Sequence, residues 1–436
     1  MRSLQLNGGR QFVGAGAHER VSFPRNEKGR KLMLLTILGL AALASPAGTT
    51  TVLNPAELTW FDGPFMSAVG KARNEKTSVL IYFWSDKSES CGSMYEETIQ
   101  SDRTNDVLTS NILVSANYNT DAGAALFKRF NVSVLPTVMV IGANGSPEDA
   151  IVGYIDPDGF LAEFERIARG EGTVSDLRTK AGAEKAGTDK AIAANWKLAG
   201  KLADLGQGEE HDALLVVIRE ADPKARTVIG ARAHLWHLQK QISDKYSGEG
   251  QECACSDDKS KEAATECPSC DAFLAADLGP LYTLVKQVRE DEARFEVWLT
   301  IGNMEARRED VSAAIKAFKT ANKVVPNDQS VSFPKGVANW IIDSEEDKEH
   351  TIKTKKFALE MAETCVKKAR QLDPTSESYK KSYGDLEPRF IVAEGMAVLA
   401  FAYDLNGNKK KASKTANAVL ELTGSDDYRE YLTPLL

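Results

Sequence analysis

The stretch TSVLIYFWSDKSESCGSM at residues 77–94 decides the fold of the N-terminal half of the chain. Its first eight residues form an apolar run of the length expected for a buried strand, and Cys91 opens a segment with helical periodicity. Cys91 stands alone, because the position three residues later is Met94. The turn Leu135-Pro136-Thr137 comes about 45 residues further along the chain. A single cysteine at a strand-to-helix junction is thus followed by a proline turn.

The residues around this stretch alternate between strand-like and helix-like apolar periods. A Gly/Asn-rich connection at 142–145 predicts a hairpin between the last two strands. The predicted strands are 77–84, 111–116, 137–141 and 150–154, and the predicted helices are 91–100, 122–130 and 157–169. The resulting order is β-α-β-α-β-β-α.

This order, with the strand ending Phe83-Trp84, the Cys91-x-x-Met94 helix start and the Val134-Leu135-Pro136-Thr137 turn, resembles thioredoxin-fold proteins over about 120 residues. The resemblance implies that Cys91 is a nucleophile whose thiolate is stabilised by the positive end of a helix. It also implies that Pro136 is cis and lies beside Cys91. Leu135 and Pro136 would then present their backbone to an extended client peptide.

The sequence departs from the redox-active pattern of this family in three ways. Met94 replaces the resolving cysteine, Tyr82 replaces a buried Asp, and the segment between Trp84 and Cys91 is longer and more charged. A mixed disulfide at Cys91 therefore needs an external thiol reductant for release. The other interpretation is that Cys91 is an inert, partly buried residue in a fold now used for binding.

Residues 1–44 are predicted to be a signal peptide with a long n-region. The apolar run at 32–44 follows Arg30 and Lys31 and ends in a small-x-small pattern. It is shorter than the roughly twenty residues that span a membrane, so a retained anchor is the weaker alternative and no stable span is expected after cleavage. We therefore expect an exported protein, periplasmic or extracellular.

The charge of the chain limits its partners. The formal net charge is −8, and it becomes −13 once residues 1–44 are removed. Such an acidic body argues against nucleic acid or an anionic membrane as its partner. Client proteins or peptides are the expected partners, and thiol exchange itself requires no cofactor.

The chain divides into a thioredoxin-like α/β domain at 45–172, a polar linker at 173–190 and an α-helical domain at 191–436. Within the helical domain, small and aromatic residues recur at offsets that resemble tetratricopeptide repeats. These residues are Trp298, Ile301, Gly302, Ala314, Phe318, Ala321 and Pro326, then Ala362, Val366, Ala369 and Pro374, and then Leu399, Ala400, Tyr403, Ala412 and Ala416. A plain helical bundle with small residues at its crossings is the alternative.

A polar insert at 247–271 holds four of the six cysteines, Cys253, Cys255, Cys267 and Cys270. Four thiolates are enough for one tetrahedral zinc, two disulfides are the competing outcome in an exported protein, and free thiols are the third. Cys267-Pro-Ser-Cys270 also has the form of a redox dithiol that would resolve a mixed disulfide at Cys91. Cys365, on a predicted helix, is expected to be a buried core thiol.

The sequence thus predicts an α/β thioredoxin-like domain followed by an all-α, tetratricopeptide-like domain. The first functional hypothesis is thiol-disulfide exchange or disulfide handling of client proteins through Cys91. The alternative is a non-enzymatic adaptor in which both domains bind protein.

Overall fold

The computed structural model describes residues 58–246, 276–308, 310–343, 351–384 and 386–436. These residues form two compact units, one ending at Ala221 and one beginning at Asp222. The predicted signal peptide at 1–44 and the insert at 247–271 lie outside the described residues. Within the described ranges, no helix is both long and apolar enough to cross a membrane.

The first unit is an α/β structure extended by three helices. Its strands are β1 (Val79–Trp84), β2 (Ile112–Asn117), β3 (Thr137–Ile141) and β4 (Pro147–Val152). Its helices are α1 (Phe65–Glu75), α2 (Glu89–Met94), α3 (Asp102–Thr109), α4 (Asp121–Phe130), α5 (Pro157–Ala168), α6 (Val174–Ala183), α7 (Asp189–Asp204) and α8 (Gly208–Ala221). A π-helical turn, Tyr95–Ile99, directly continues α2.

The four strands form one sheet in the order β2-β1-β3-β4. β1 pairs parallel with β2 and antiparallel with β3, and β4 pairs antiparallel with β3. The predicted element order is confirmed, with two helices added. Helices α1 and α3 were not predicted, and α3 is mostly polar, with its first turn capped by the Ser101 hydroxyl, which accepts from the Arg103 N–H.

Strand β1 lies between two apolar layers, one on each face of the sheet. Both sets of its alternating side chains are therefore buried, which explains its continuous apolar sequence. Val79, Ile81 and Phe83 pack with α1 and α4 on one face of the sheet. Leu80 and Tyr82 pack with residues of α2 and α5 on the other. The chain leaves the sheet at Trp84, the last residue of β1, and then forms α2. Met94 of α2 packs in the same layer as Leu80 and Tyr82.

The segment 173–190, predicted as a linker, differs from that prediction because most of it is helical. The side chains of Thr173 and Thr188 cap α6 and α7 by accepting backbone N–H groups. Asp149 on β4 is fully buried and binds Arg166 of α5 and Lys201 of α7. A buried carboxylate requires such partners. The ion pair between Asp149 and Lys201 joins α7 to the sheet.

The second unit is entirely helical in the residues that the structure describes. Its α-helices are α9 (Val228–Tyr246), α10 (Gly279–Gln287), α11 (Asp291–Arg307), α12 (Val311–Ala321), α13 (Ser332–Asp343), α14 (Ile352–Ala369), α15 (Glu377–Tyr383), α16 (Pro388–Leu405), α17 (Lys409–Thr423) and α18 (Asp426–Leu432). Short 3₁₀ turns lie at Asn327–Gln329 and Thr433–Leu435.

Small residues lie at the crossings of these helices, as the sequence pattern predicts. Gly302 of α11 lies against Phe318 of α12, where an added Cβ would be 2.4 Å from the ring. On α16 and α17, Ala400, Ala412 and Ala416 are buried. Close backbone approach at these positions accounts for the small residues in the sequence.

Candidate functional site

Cys91 lies in the first turn of α2, just beyond the end of β1. The N–H groups of Cys91 and Gly92 donate to the carbonyl oxygen of Ser88, at 3.1 and 3.2 Å. Cys91 is a free thiol with only 2% of its surface exposed. A partner must therefore reach the sulfur through a local movement of this turn.

Met94, at the position where the resemblance predicts a resolving cysteine in redox-active proteins, is fully buried. It lies one turn after Cys91 on the inner side of α2, among residues that include Tyr82 and Phe160. A thioether has no proton to lose and forms no disulfide, so the side chain at this position contributes packing only.

Tyr82 forms a side-chain hydrogen bond to the turn that contains Cys91. Its hydroxyl donates to the carbonyl oxygen of Cys91 at 2.8 Å, and burial, with the nearby Cys91 and Tyr95, raises the pKa of Tyr82 well above its usual value. The ring stacks between Trp60 and Tyr95, with centroids 6.3 and 6.4 Å away. From the sequence alone, Tyr82 differs from the family only by standing in place of an Asp, and residue types do not reveal this hydrogen bond.

The π-helical turn after α2 is fixed by hydrogen bonds between its residues and residues outside it. The Thr98 hydroxyl donates to the Ile155 carbonyl at 2.6 Å, and the Thr104 hydroxyl donates to the Thr98 carbonyl. The Tyr154 hydroxyl donates to Glu97 at 2.6 Å, and this bond raises the pKa of Tyr154. Glu97, which the sequence places near Cys91, is thus engaged with Tyr154. Interrupted helices of this kind are frequent at functional sites.

The Leu135–Pro136 peptide bond is cis, as the resemblance implies. The Pro136 carbonyl accepts from the Gly153 N–H at 2.7 Å, so this acceptor is already used within the sheet. The Leu135 backbone, by contrast, makes no hydrogen bond to other backbone groups within the described residues. Of the two predicted peptide-binding positions, Leu135 is therefore the one whose backbone N–H and C=O have no partner among the residues that the structure describes.

The Cys91 helix and the Leu135 turn lie at the same end of the sheet. Phe83, the next-to-last residue of β1, pairs with Thr137, the first residue of β3. The turn 134–136 thus enters the sheet where the chain leaves it for α2. Three exposed apolar side chains belong to the adjoining segments, Val134, Val152 and Tyr154.

The remaining cysteines divide into two groups. Cys365 on α14 is fully buried, and burial raises its pKa to about 12. Cys253, Cys255, Cys267 and Cys270 lie outside the described residues, so zinc and disulfides there stay predictions. Among described residues, no cluster of three or more His, Cys, Asp or Glu side chains could hold a metal ion.

Comparison with known families agrees with this geometry. The family described as Thioredoxin-like domain matches residues 65–168, from the start of α1 to the end of α5. No curated protein sequence matches the chain. The residues that the structure describes therefore form a thioredoxin-like α/β domain followed by an all-helical C-terminal region.

Proposed function

We propose that this protein performs thiol-disulfide exchange on client proteins, with Cys91 as its single nucleophile. The observation that carries the proposal is the position of Cys91, in the first turn of the helix that follows the central strand of a thioredoxin-like domain. Met94 at the next turn determines the type of exchange, because the domain has one sulfur there instead of two.

The exchange begins at a client disulfide. The Cys91 thiolate attacks one sulfur of that disulfide, a Cys91–client disulfide forms, and the other client sulfur leaves as a thiolate. An external thiolate, such as a glutathione-class thiol, then attacks this mixed disulfide. Attack on the client sulfur forms a disulfide between the client and the external thiol and releases Cys91 as a thiolate. Attack on the Cys91 sulfur releases the client as a thiolate and leaves Cys91 bonded to the external thiol, and a second external thiolate then restores the Cys91 thiolate.

Client binding is proposed at the Leu135 turn. The N–H and C=O of Leu135, which have no partner within the described part of the chain, supply the hydrogen bonds that an extended peptide needs. The exposed side chains of Val134, Val152 and Tyr154 favour apolar residues beside the client cysteine.

We also propose where the protein acts and how it recruits its client. The apolar run before Ser45 supports export, and an oxidising compartment supplies client disulfides. The helix pairs α11–α12 and α16–α17 support a tetratricopeptide-like role in holding the client.

Capture of a disulfide-bonded peptide tests the proposal. The mature chain is incubated with a peptide carrying one disulfide, and adducts are assigned to each cysteine by mass spectrometry. We expect an adduct on Cys91 that is lost in Cys91→Ser and retained in Cys365→Ser. Absence of any adduct on Cys91 in the native protein would instead support the binding-adaptor hypothesis.

A further inference from the structure

Three consecutive residues between β4 and α5 bond to both parts of the proposed site. We call them the connecting segment; they are Gly153, Tyr154 and Ile155. The Gly153 N–H donates to the Pro136 carbonyl, in the turn proposed to bind clients, at 2.7 Å. The Tyr154 hydroxyl and the Ile155 carbonyl bond to the π-helical turn that continues the Cys91 helix. One short segment therefore contacts both the client turn and the helix of the nucleophile.

Thr98 is the buried attachment on the helical side. Its hydroxyl donates to the Ile155 carbonyl at 2.6 Å, and its own carbonyl accepts from the Thr104 hydroxyl and the Ser101 N–H. Thr98 is fully buried, and within the described residues the Ile155 carbonyl has no backbone partner. A carbonyl left unpaired inside the protein costs more free energy than the hydrogen bond itself contributes. Thr98 thus fixes the π-helical turn to the connecting segment.

Tyr154 makes the exposed attachment. Its hydroxyl donates to Glu97 at 2.6 Å, while the residue is 45% exposed in a segment that adjoins the client turn. The same side chain thus offers an apolar ring to a client and holds the helix through its hydroxyl. A single exposed hydrogen bond contributes little net stability, so packing of a client against the ring is sufficient to displace it.

Movement of the π-helical turn reaches Cys91 through the backbone. The Tyr95 N–H, at the start of that turn, donates to the carbonyl oxygens of Cys91 and Gly92. The Cys91 carbonyl also accepts from the Tyr82 hydroxyl. When the bonds of the connecting segment break, the Tyr95 N–H shifts and the first turn of α2 loosens around Cys91, which is 2% exposed in the closed state.

We propose that Thr98 and Tyr154 are positioning residues that keep the Cys91 turn closed until a client binds. This inference rests on the proposed function, because it takes the turn 134–136 as the client site. A client that pairs with this turn and packs on the Tyr154 ring displaces the hydroxyl from Glu97. The released π-helical turn then exposes the Cys91 sulfur. Extended clients are thereby favoured over small disulfides, which do not contact the connecting segment.

Alkylation of native Cys91 by iodoacetamide, without any client, tests the closed state. Tyr154→Phe removes the exposed bond and should accelerate alkylation about threefold. Thr98→Val removes the buried bond and should accelerate it at least about tenfold, whereas Thr98→Ser keeps the hydroxyl and should stay close to the parent rate. The control is Tyr118→Phe, at an exposed tyrosine whose N–H donates to the carbonyl of the last residue of β1, and it should match the parent.

Hydrogen exchange tests the coupling to client binding. The probe is an extended, cysteine-free peptide of apolar residues, so the result does not depend on thiol chemistry. In the parent we expect slower exchange of the amides at 132–135 and about threefold faster exchange at 95–100. In Tyr154→Phe the peptide should still slow exchange at 132–135 but should no longer accelerate it at 95–100.

Three results would overturn the inference. They are unchanged alkylation of Cys91 in both Tyr154→Phe and Thr98→Val, equal acceleration in Tyr118→Phe, and slower exchange at 132–135 without acceleration at 95–100. A peptide that alters neither segment would remove the client site, and with it both the coupling and the client binding of the proposed function. The expected exchange and alkylation changes without any Cys91 adduct from a disulfide peptide would refute thiol exchange alone and support the coupling.

Discussion

Cys91 and Cys365 are both free and both buried, but their surroundings differ. Cys91 lies in a six-residue helix that passes directly into a π-helical turn, next to the end of a sheet. Cys365 lies within the 18-residue α14 and packs with Ala369, Tyr379 and Ile391. A small movement exposes the first sulfur, whereas the second requires separation of packed helices. The reactivity of a buried thiol therefore depends on what must open to reach it.

Met94→Cys should have the largest effect, on the rate at which Cys91 releases its client. The introduced sulfur attacks the Cys91 sulfur of a mixed disulfide, a disulfide forms between positions 91 and 94, and the client leaves as a thiolate. We expect client release without external reductant to become at least about 100-fold faster, because the attack is intramolecular. The measurement is the decay of a preformed Cys91–peptide adduct, followed by mass spectrometry.

Met94→Leu is the control for packing at this fully buried position. It should leave the lifetime of the adduct unchanged. Equal acceleration in both variants would mean that loosened packing, and not a second sulfur, releases the client.

Gly302→Ala should destabilise the second unit and thereby increase the accessibility of Cys365. Its Cβ would lie 2.4 Å from the Phe318 ring, which is fully buried, so the α11–α12 crossing must shift. We expect a loss of about 1–3 kcal/mol in the free energy of unfolding of the second unit. Labelling of Cys365 under native conditions should then accelerate by roughly tenfold, with Cys91 unchanged.

The matched control is Gly70→Ala on α1, where an added Cβ meets nothing within 4 Å. It reports the gain in helix propensity that any such substitution brings. Comparable labelling of Cys365 in Gly302→Ala and in the parent would show that this crossing does not protect the thiol.

Tyr82→Phe should have the smallest effect and should be confined to Cys91. The variant keeps the ring between Trp60 and Tyr95 but removes the hydrogen bond to the Cys91 carbonyl. Loss of about 1 kcal/mol from the closed turn corresponds to roughly fivefold faster alkylation of Cys91. Tyr95→Phe, in the same stack, is the control, and equal effects of the two variants would exclude a specific role for the Tyr82 hydroxyl.

Much of the first unit could be predicted because its signals are local. The continuous apolar run of β1, the cysteine at the start of α2 and the Leu135-Pro136 turn each stand in one short stretch of sequence. The cis state of Pro136 came from the resemblance and agrees with the structure.

The features that were missed depend on contacts between distant residues. The polar composition of 173–190 predicted a linker, whereas the segment contains α6 and the start of α7, both with threonine caps. Asp149, which joins α7 to the sheet, lies 52 residues before its partner Lys201. The bond from Tyr82 to the Cys91 carbonyl ends on a backbone atom, and residue types do not reveal such an acceptor.

Alkylation of each cysteine as a function of pH, resolved by mass spectrometry on the native mature chain, decides whether Cys91 is the working nucleophile. Because burial raises the pKa of Cys365 to about 12, its thiolate is scarce below that pH, and we expect it to be labelled only after denaturation. Cys91 should be labelled in the native state near neutral pH. Labelling of Cys91 only on unfolding, in parallel with Cys365, would contradict the proposal that Cys91 is the working nucleophile.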